Sequence, residues 1–153
     1  MGQVTHQQAE LLLRLYDLRR ESKLREARAW FMENFSASSI EEAMQKFPPN
    51  SDGNVKMRMV VSYWEMACNL ANRGLIDDEF FFENTGEQWV VWEKMKPIIP
   101  AWRAAFQNPH MFSQLEESVK RLEAWRERRA PGSNEAMRKM FAQFAQTRAQ
   151  AAR

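Results

Sequence analysis

Along most of this chain apolar residues recur at intervals of three and four, the period of a helix, and no segment alternates every second residue as a half-buried strand would. The pattern predicts an all-α fold, an irregular helical bundle of about seven or eight helices. Thr5 and Gln8 have capping-box spacing ahead of a face made by Leu11, Leu12, Leu15, Tyr16 and Leu18. A second helix starts near Ser22 or Lys23, with Leu24, Ala27, Trp30, Phe31 and Phe35 in phase; no glycine or proline separates it from the first. Ser39 and Glu42 open a short third helix that Pro48 and Pro49 close. The clearest core helix runs from about Asn54 to Arg73, with Val60, Tyr63, Trp64, Ala67, Leu70 and Ala71 on one face. Gly74 and Leu75 follow it as a Schellman ending would, and Asp77 caps the next short helix. Phe112, Leu115, Val119 and Leu122 define a further helix, Pro131 and Gly132 a turn, and Ser133 caps a last helix carrying Met137, Met140, Phe141 and Phe144.

The stretch from Gln88 to Phe106, QWVVWEKMKPIIPAWRAAF, contains three tryptophans and two prolines. Its charges interrupt it too often for a membrane span. Trp92, Met95, Ile99, Trp102 and Phe106 keep one helical register through Pro97 and Pro100, which predicts a single long, proline-kinked central helix. Each proline frees a carbonyl one turn earlier, on Glu93 and Lys96, and a polar notch beside tryptophans is a candidate ligand wall. Trp92, Lys96, Pro97, Pro100 and Arg103 are therefore candidate site residues. Against that stands the commoner use of an aromatic stripe as core, and of an arginine such as Arg103 as a bridge between helices.

The segments LYDLRR, REARAWF and GLID, and above all WEKMKPIIPAWR from Trp92 to Arg103, resemble a bacterial family of small helical domains classed only as of unknown function. The shared pattern is W-x-x-[LM]-K-P-I-I-x-x-x-R, and the likeness runs from Leu11 to Trp125. The resemblance implies a small helical domain without an established activity or cofactor, so it transfers no catalytic residue. Many such relatives carry a membrane helix ahead of the domain, which implies work at a membrane; this sequence shows no such stretch.

Composition narrows the picture further. A chain of 153 residues is enough to bury a core without disulfide or metal, and 44% hydrophobic with 27% charged residues is a globular balance. Cys68, the one cysteine, lies in an apolar context and suits a reducing compartment. No basic start followed by an apolar run marks a signal peptide, and MGQVTH has His6 where a myristoylation signal needs Ser or Thr. The expected location is cytoplasmic. His6 and His110 have no metal-ligand spacing, and phosphate loops and nucleophile elbows are missing, so the expectation is no metal, no cofactor and no enzymatic activity.

Charge is uneven: Lys120 to Arg153 carries a net +6 and the remainder −4. The basic end could contact nucleic acid or an anionic membrane surface, although no nucleic-acid recognition pattern is present. The expected organisation is a helical bundle over residues 1–130 and an amphipathic C-terminal helix over residues 131–153, packed on the bundle or on a second protomer. These residues read as a non-enzymatic helical interaction or scaffold domain, a possible homodimer whose partner is another protein or itself, with Met137, Met140, Phe141 and Phe144 as its contact face. The alternative is a bundle holding a small apolar or anionic ligand near the kinked tryptophan helix.

Overall fold

A computed structural model of the chain describes residues 2–153. Among them nine helices form and no strand. They are α1 (His6–Arg19), α2 (Ser22–Asn34), α3 (Ile40–Lys46), α4 (Asp52–Asn72), α5 (Asp78–Asn84), α6 (Glu87–Met95), α7 (Ile99–Ala105), α8 (Ser113–Arg129) and α9 (Ser133–Ala151). By its contacts the chain resolves into two compact units, one up to Val119 and one from Lys120 to Arg153, so the boundary falls within α8.

In the first unit α4 is the organising element, packing most extensively on α2 and also on α5 and α6. Its start and end are written locally. Ser51 accepts the Asn54 amide, and at the other end Leu75 N donates to Leu70 O and Gly74 N to Ala71 O, with Gly74 at φ 74°. That is the Schellman pattern, and a left-handed residue there favours glycine. Leu75 is exposed, however, and Ile76 is the residue that enters the core. Val60, Val61, Trp64, Ala67 and Cys68 of α4 are buried, as are Ala27 and Phe31 of α2. Beside them Phe31 stacks on Phe35 and Phe35 on Phe47, while Trp30 meets Phe47 edge-on. Gly53 lets that cluster approach α4: a Cβ there would lie 2.7 Å from the Trp30 ring.

Two expected capping boxes close differently from the reciprocal form. Thr5 Oγ1 accepts the Gln8 amide as expected, but the Gln8 side chain accepts the backbone N–H of Asp77, tying the start of α1 to the start of α5. Ser39 accepts the Glu42 amide, while the Glu42 carboxylate reaches back to the amide and hydroxyl of Ser38. Between α1 and α2 the helix breaks without glycine or proline. Glu21 turns out of helical geometry and its carboxylate caps the Leu24 amide, so the junction is a true boundary.

The long helix expected across Pro97 and Pro100 is two helices, α6 and α7, separated by a turn over residues 96–98. Pro97 has no N–H to give the Glu93 carbonyl, and Ile98 N reaches the nearer carbonyl of Met95 instead of continuing the i to i−4 ladder. Pro100 then occupies the first turn of α7, where a missing N–H costs no internal bond. The break also shifts the phase of the apolar stripe. Met95 and Ile99 are buried as expected, but Trp89, Val91 and Ile98 complete the buried face, while Trp92 and Trp102 are half-buried and Phe106 is exposed.

The start of α8 is held by α4. Glu65 accepts the amides of Gln114 and Leu115, and Asn72 Nδ2 donates to the carbonyl and side chain of Gln114. A carboxylate on free N–H groups at a helix start complements both the missing bonds and the dipole.

The second unit is a helical hairpin. Gly132, at φ 84°, turns the chain, and its amide donates to Glu127. Asn134, buried, donates to the Glu123 carbonyl and to Glu127, and Arg138 pairs with Glu123. These bonds bring the last turns of α8 alongside the first turns of α9.

Candidate functional site

Within the first unit, packing of α4 on α2 and α6 brings together three side chains far apart in sequence. Arg28 of α2 meets Glu87 of α6 with two parallel bonds, Nε to Oε1 at 2.7 Å and Nη2 to Oε2 at 2.5 Å. Trp64 of α4 donates its indole N–H to the same Oε1 at 3.0 Å. Glu87 is the first residue of α6, where the helix dipole adds to the favourable field for a carboxylate. The pairing with Glu87 holds the Arg28 guanidinium above its ordinary pKa. With both carboxylate oxygens engaged by forked and indole donors, this group is a structural clamp rather than a free acid or base.

Next to the clamp Tyr63 is buried and donates its hydroxyl to the Leu15 carbonyl of α1 at 2.5 Å. Burial pushes its phenol up to about 12; Arg19 and Arg28 oppose that rise and Glu87 adds to it. Two arginines and one carboxylate thus surround one phenol, and the carboxylate is taken by Arg28.

A cavity of about 270 Å³ opens on this corner between α1, α4 and α5. Its walls are apolar: Leu12, Leu15, Trp64, Ala67 and Phe81. Leu13 and Tyr16, 63% and 46% exposed, line it as well and give it an open rim. Its polar lining comes from Arg19, Asn84 and Thr85. Asn84 Nδ2 donates to the Phe80 carbonyl, and the Thr85 hydroxyl donates to the Phe81 carbonyl while also accepting from Gln88. Arg19 is different: its Nε is buried and has no hydrogen-bond partner among the described residues. Its guanidinium carbon sits 5.4 Å from the centre of the Tyr16 ring.

The residues singled out from sequence lie elsewhere. Arg103 is tied down, donating to the Met111 carbonyl at 2.9 Å and to Glu116 at 2.8 Å. Lys96 pairs with Glu93 at 2.7 Å, and Pro97 and Pro100 are exposed. Trp92 is half-buried. In the second unit Met137 is half-buried, while Met140, Phe141 and Phe144 are 54%, 38% and 52% exposed on one face of α9. Sequence reading passed over Arg19, Arg28 and Glu87. Glu87 resembles any acid in a first helical turn, and its partner lies 59 positions away. The one local signal was the apolar face of α1, whose Leu12, Leu15 and Tyr16 line the cavity.

No group of three or more His, Cys, Asp or Glu that could hold a metal ion occurs among the described residues. Nor is any described helix long and apolar enough to cross a membrane. No curated protein and no solved structure matches the chain. A family model does match, over residues 4–122, a span that takes in the clamp, the cavity and the start of α8 but stops short of α9. The chain belongs to the family described as domain of unknown function DUF4760.

Proposed function

We propose that the chain is a non-enzymatic helical interaction domain of the cytoplasm, which associates with a second copy of itself through the apolar face of α9. The observation that carries this reading is that Met140, Phe141 and Phe144, spaced for one helical face, remain exposed. Stripes at this spacing are how helices recognise a partner helix or groove. Among the alternatives, contact with nucleic acid or an anionic membrane surface has less support, because two of the three cations of α9 are paired locally, Arg138 with Glu123 and Lys139 with Glu135. A ligand site beside Trp92 and Arg103 also has less support, since Arg103 and Lys96 are engaged by Glu116 and Glu93. The doubly engaged Glu87 carboxylate favours a non-catalytic role for the body, and a buried Cys68 in no disulfide suits a reducing compartment.

Sedimentation velocity over a wide concentration range tests the proposal. The wild-type chain is expected to pass from monomer to dimer, and the double variant Phe141→Ser, Phe144→Ser to stay monomeric with an unchanged helical circular-dichroism spectrum. A wild-type chain that remains monomeric at high micromolar concentration, or a double variant that dimerises equally well, overturns it.

A further inference from the structure

The cavity of the first unit combines an apolar lining with a single charged residue. Its walls reward burial of an apolar body, the Thr85 hydroxyl is already donated to the Phe81 carbonyl, and Asn84 Nδ2 gives one of its hydrogens to the Phe80 carbonyl. The one charged residue of the lining is Arg19, whose guanidinium has five donors, no acceptor and a permanent charge. Its Nε is out of water and has no hydrogen-bond partner among the described residues, a condition that costs free energy. The charge is also uncompensated within its own neighbourhood, because Glu87, the carboxylate beside Tyr63, is held on both oxygens by Arg28 and Trp64. A ligand that satisfies this corner must therefore bring acceptors, and an anionic one brings the missing charge.

Size fixes the class further. A dry apolar cavity of about 150 Å³ takes a benzene ring, so one of about 270 Å³ takes a ring or short acyl chain together with a small head group. A guanidinium fork holds a carboxylate with two parallel bonds, and a monoanion costs less to desolvate than a dianion in so apolar a setting. We infer that the cavity bounded by Leu12, Tyr16, Ala67 and Phe81 binds a small apolar monocarboxylate, an aromatic or short-chain acid, whose carboxylate is held by Arg19. The exposed rim at Leu13 and Tyr16 gives such a molecule a way in, and the Tyr16 ring is positioned against both the cation and the ligand's apolar body. This site is independent of the α9 face, and either can fail alone.

The test uses the full chain, uniformly labelled with ¹⁵N, titrated with phenylacetate and hexanoate and, in parallel, with phenylacetamide and hexanamide. At least one acid is expected to produce saturable shifts that cluster on the amides of Leu12, Tyr16, Ala67, Phe81 and Thr85. Its neutral amide should bind about tenfold more weakly, the scale of a lost charge-assisted bond. Arg19→Gln should bring the acid down to the level of the amide while leaving the spectrum dispersed. If Arg19→Gln does not fold, the comparison of acid with amide on the wild-type chain still decides. No saturable shift with either acid overturns the inference, as do shifts centred away from the cavity, equal affinity for acid and amide, or an unchanged affinity in a folded Arg19→Gln protein.

Discussion

Val60, Tyr63, Trp64 and Ala67 of α4 and Met137, Met140, Phe141 and Phe144 of α9 follow the same rule, i, i+3, i+4 and i+7, yet their fates are opposite. The α4 set is buried to the last residue, whereas of the α9 set only Met137 is even half-covered. Helical periodicity states which face is apolar; it does not state whether the chain itself supplies the cover. In the first unit α2, α5 and α6 supply it, and each of those helices is also tied to its neighbours by polar groups that leave little freedom of placement. In the second unit the polar bonds lie near the turn, from Asn134 and Arg138 to Glu123 and Glu127, and the apolar stripe of α9 continues beyond them.

The largest expected effect follows from that contrast. Trp64→Ala or Trp89→Ala should destabilise the protein by about 3 to 5 kcal/mol, the cost of truncating a fully buried aromatic ring. Phe144→Ala should cost less than about 0.5 kcal/mol at concentrations where the chain is monomeric. Urea denaturation followed by far-ultraviolet circular dichroism measures both. A Phe144 effect that grows with protein concentration would locate the missing cover in a second copy. A large effect independent of concentration would break the comparison by showing that this ring contributes to the folded monomer.

Ion pairs sharpen the same contrast on a smaller scale. Glu87→Gln keeps one acceptor but presents an amide N–H₂ to Arg28 in place of the second oxygen. With the two side chains only 15% and 20% exposed, the expected loss is about 1 to 3 kcal/mol. Lys139→Met removes a pair whose partners are both 72% exposed, and the expected loss is about 0.3 to 0.5 kcal/mol. Equal losses in denaturant melts would mean that the clamp behaves as a surface pair and that α2 and α6 are positioned by apolar packing alone.

What the sequence made legible was local. The caps at Thr5, Ser39 and Asp77 and the Schellman ending at Gly74 depend on residues within a turn of one another, and each is present, whereas Ser133 does not cap α9, which begins at that residue with Gly132 ahead of it. The stripe of α6 and α7 was legible only in part. Trp89, Val90, Val91 and Trp92 make α6 apolar on more than one side, so its phase was ambiguous, and the turn at residues 96–98 shifted that phase before α7 began. The clamp could not be read at all, and the Arg19 cavity only through the apolar face of α1 that lines it. Arg28, Trp64 and Glu87 are surface-type or core-type residues by every local measure, and only the packing of α4 against α2 and α6 makes them one group.

The smallest prediction concerns two i, i+4 acid–lysine pairs that look alike in sequence, Glu42 with Lys46 and Glu135 with Lys139. Glu42 differs in what else it accepts. Besides Lys46 Nζ at 2.5 Å, its carboxylate takes the Ser38 hydroxyl at 2.6 Å and the Ser38 amide at 2.7 Å. Lys46 first, and then Ser38, hold its pKa down at about 2, from an ordinary 4.5. A folded value below the unfolded one means that the stabilisation is present above the ordinary value and is lost as pH falls through about 2. Carbon-13 observation of the Glu42 carboxyl through an acid titration should show a midpoint far below the ordinary carboxylate range, and Ser38→Ala should raise it part of the way back, since the backbone N–H remains. A Glu42 midpoint at the ordinary value would show that the Ser38 loop does not hold its place in solution. The start of α3 would then be capped by Ser39 alone, no better secured than the exposed pair on α9.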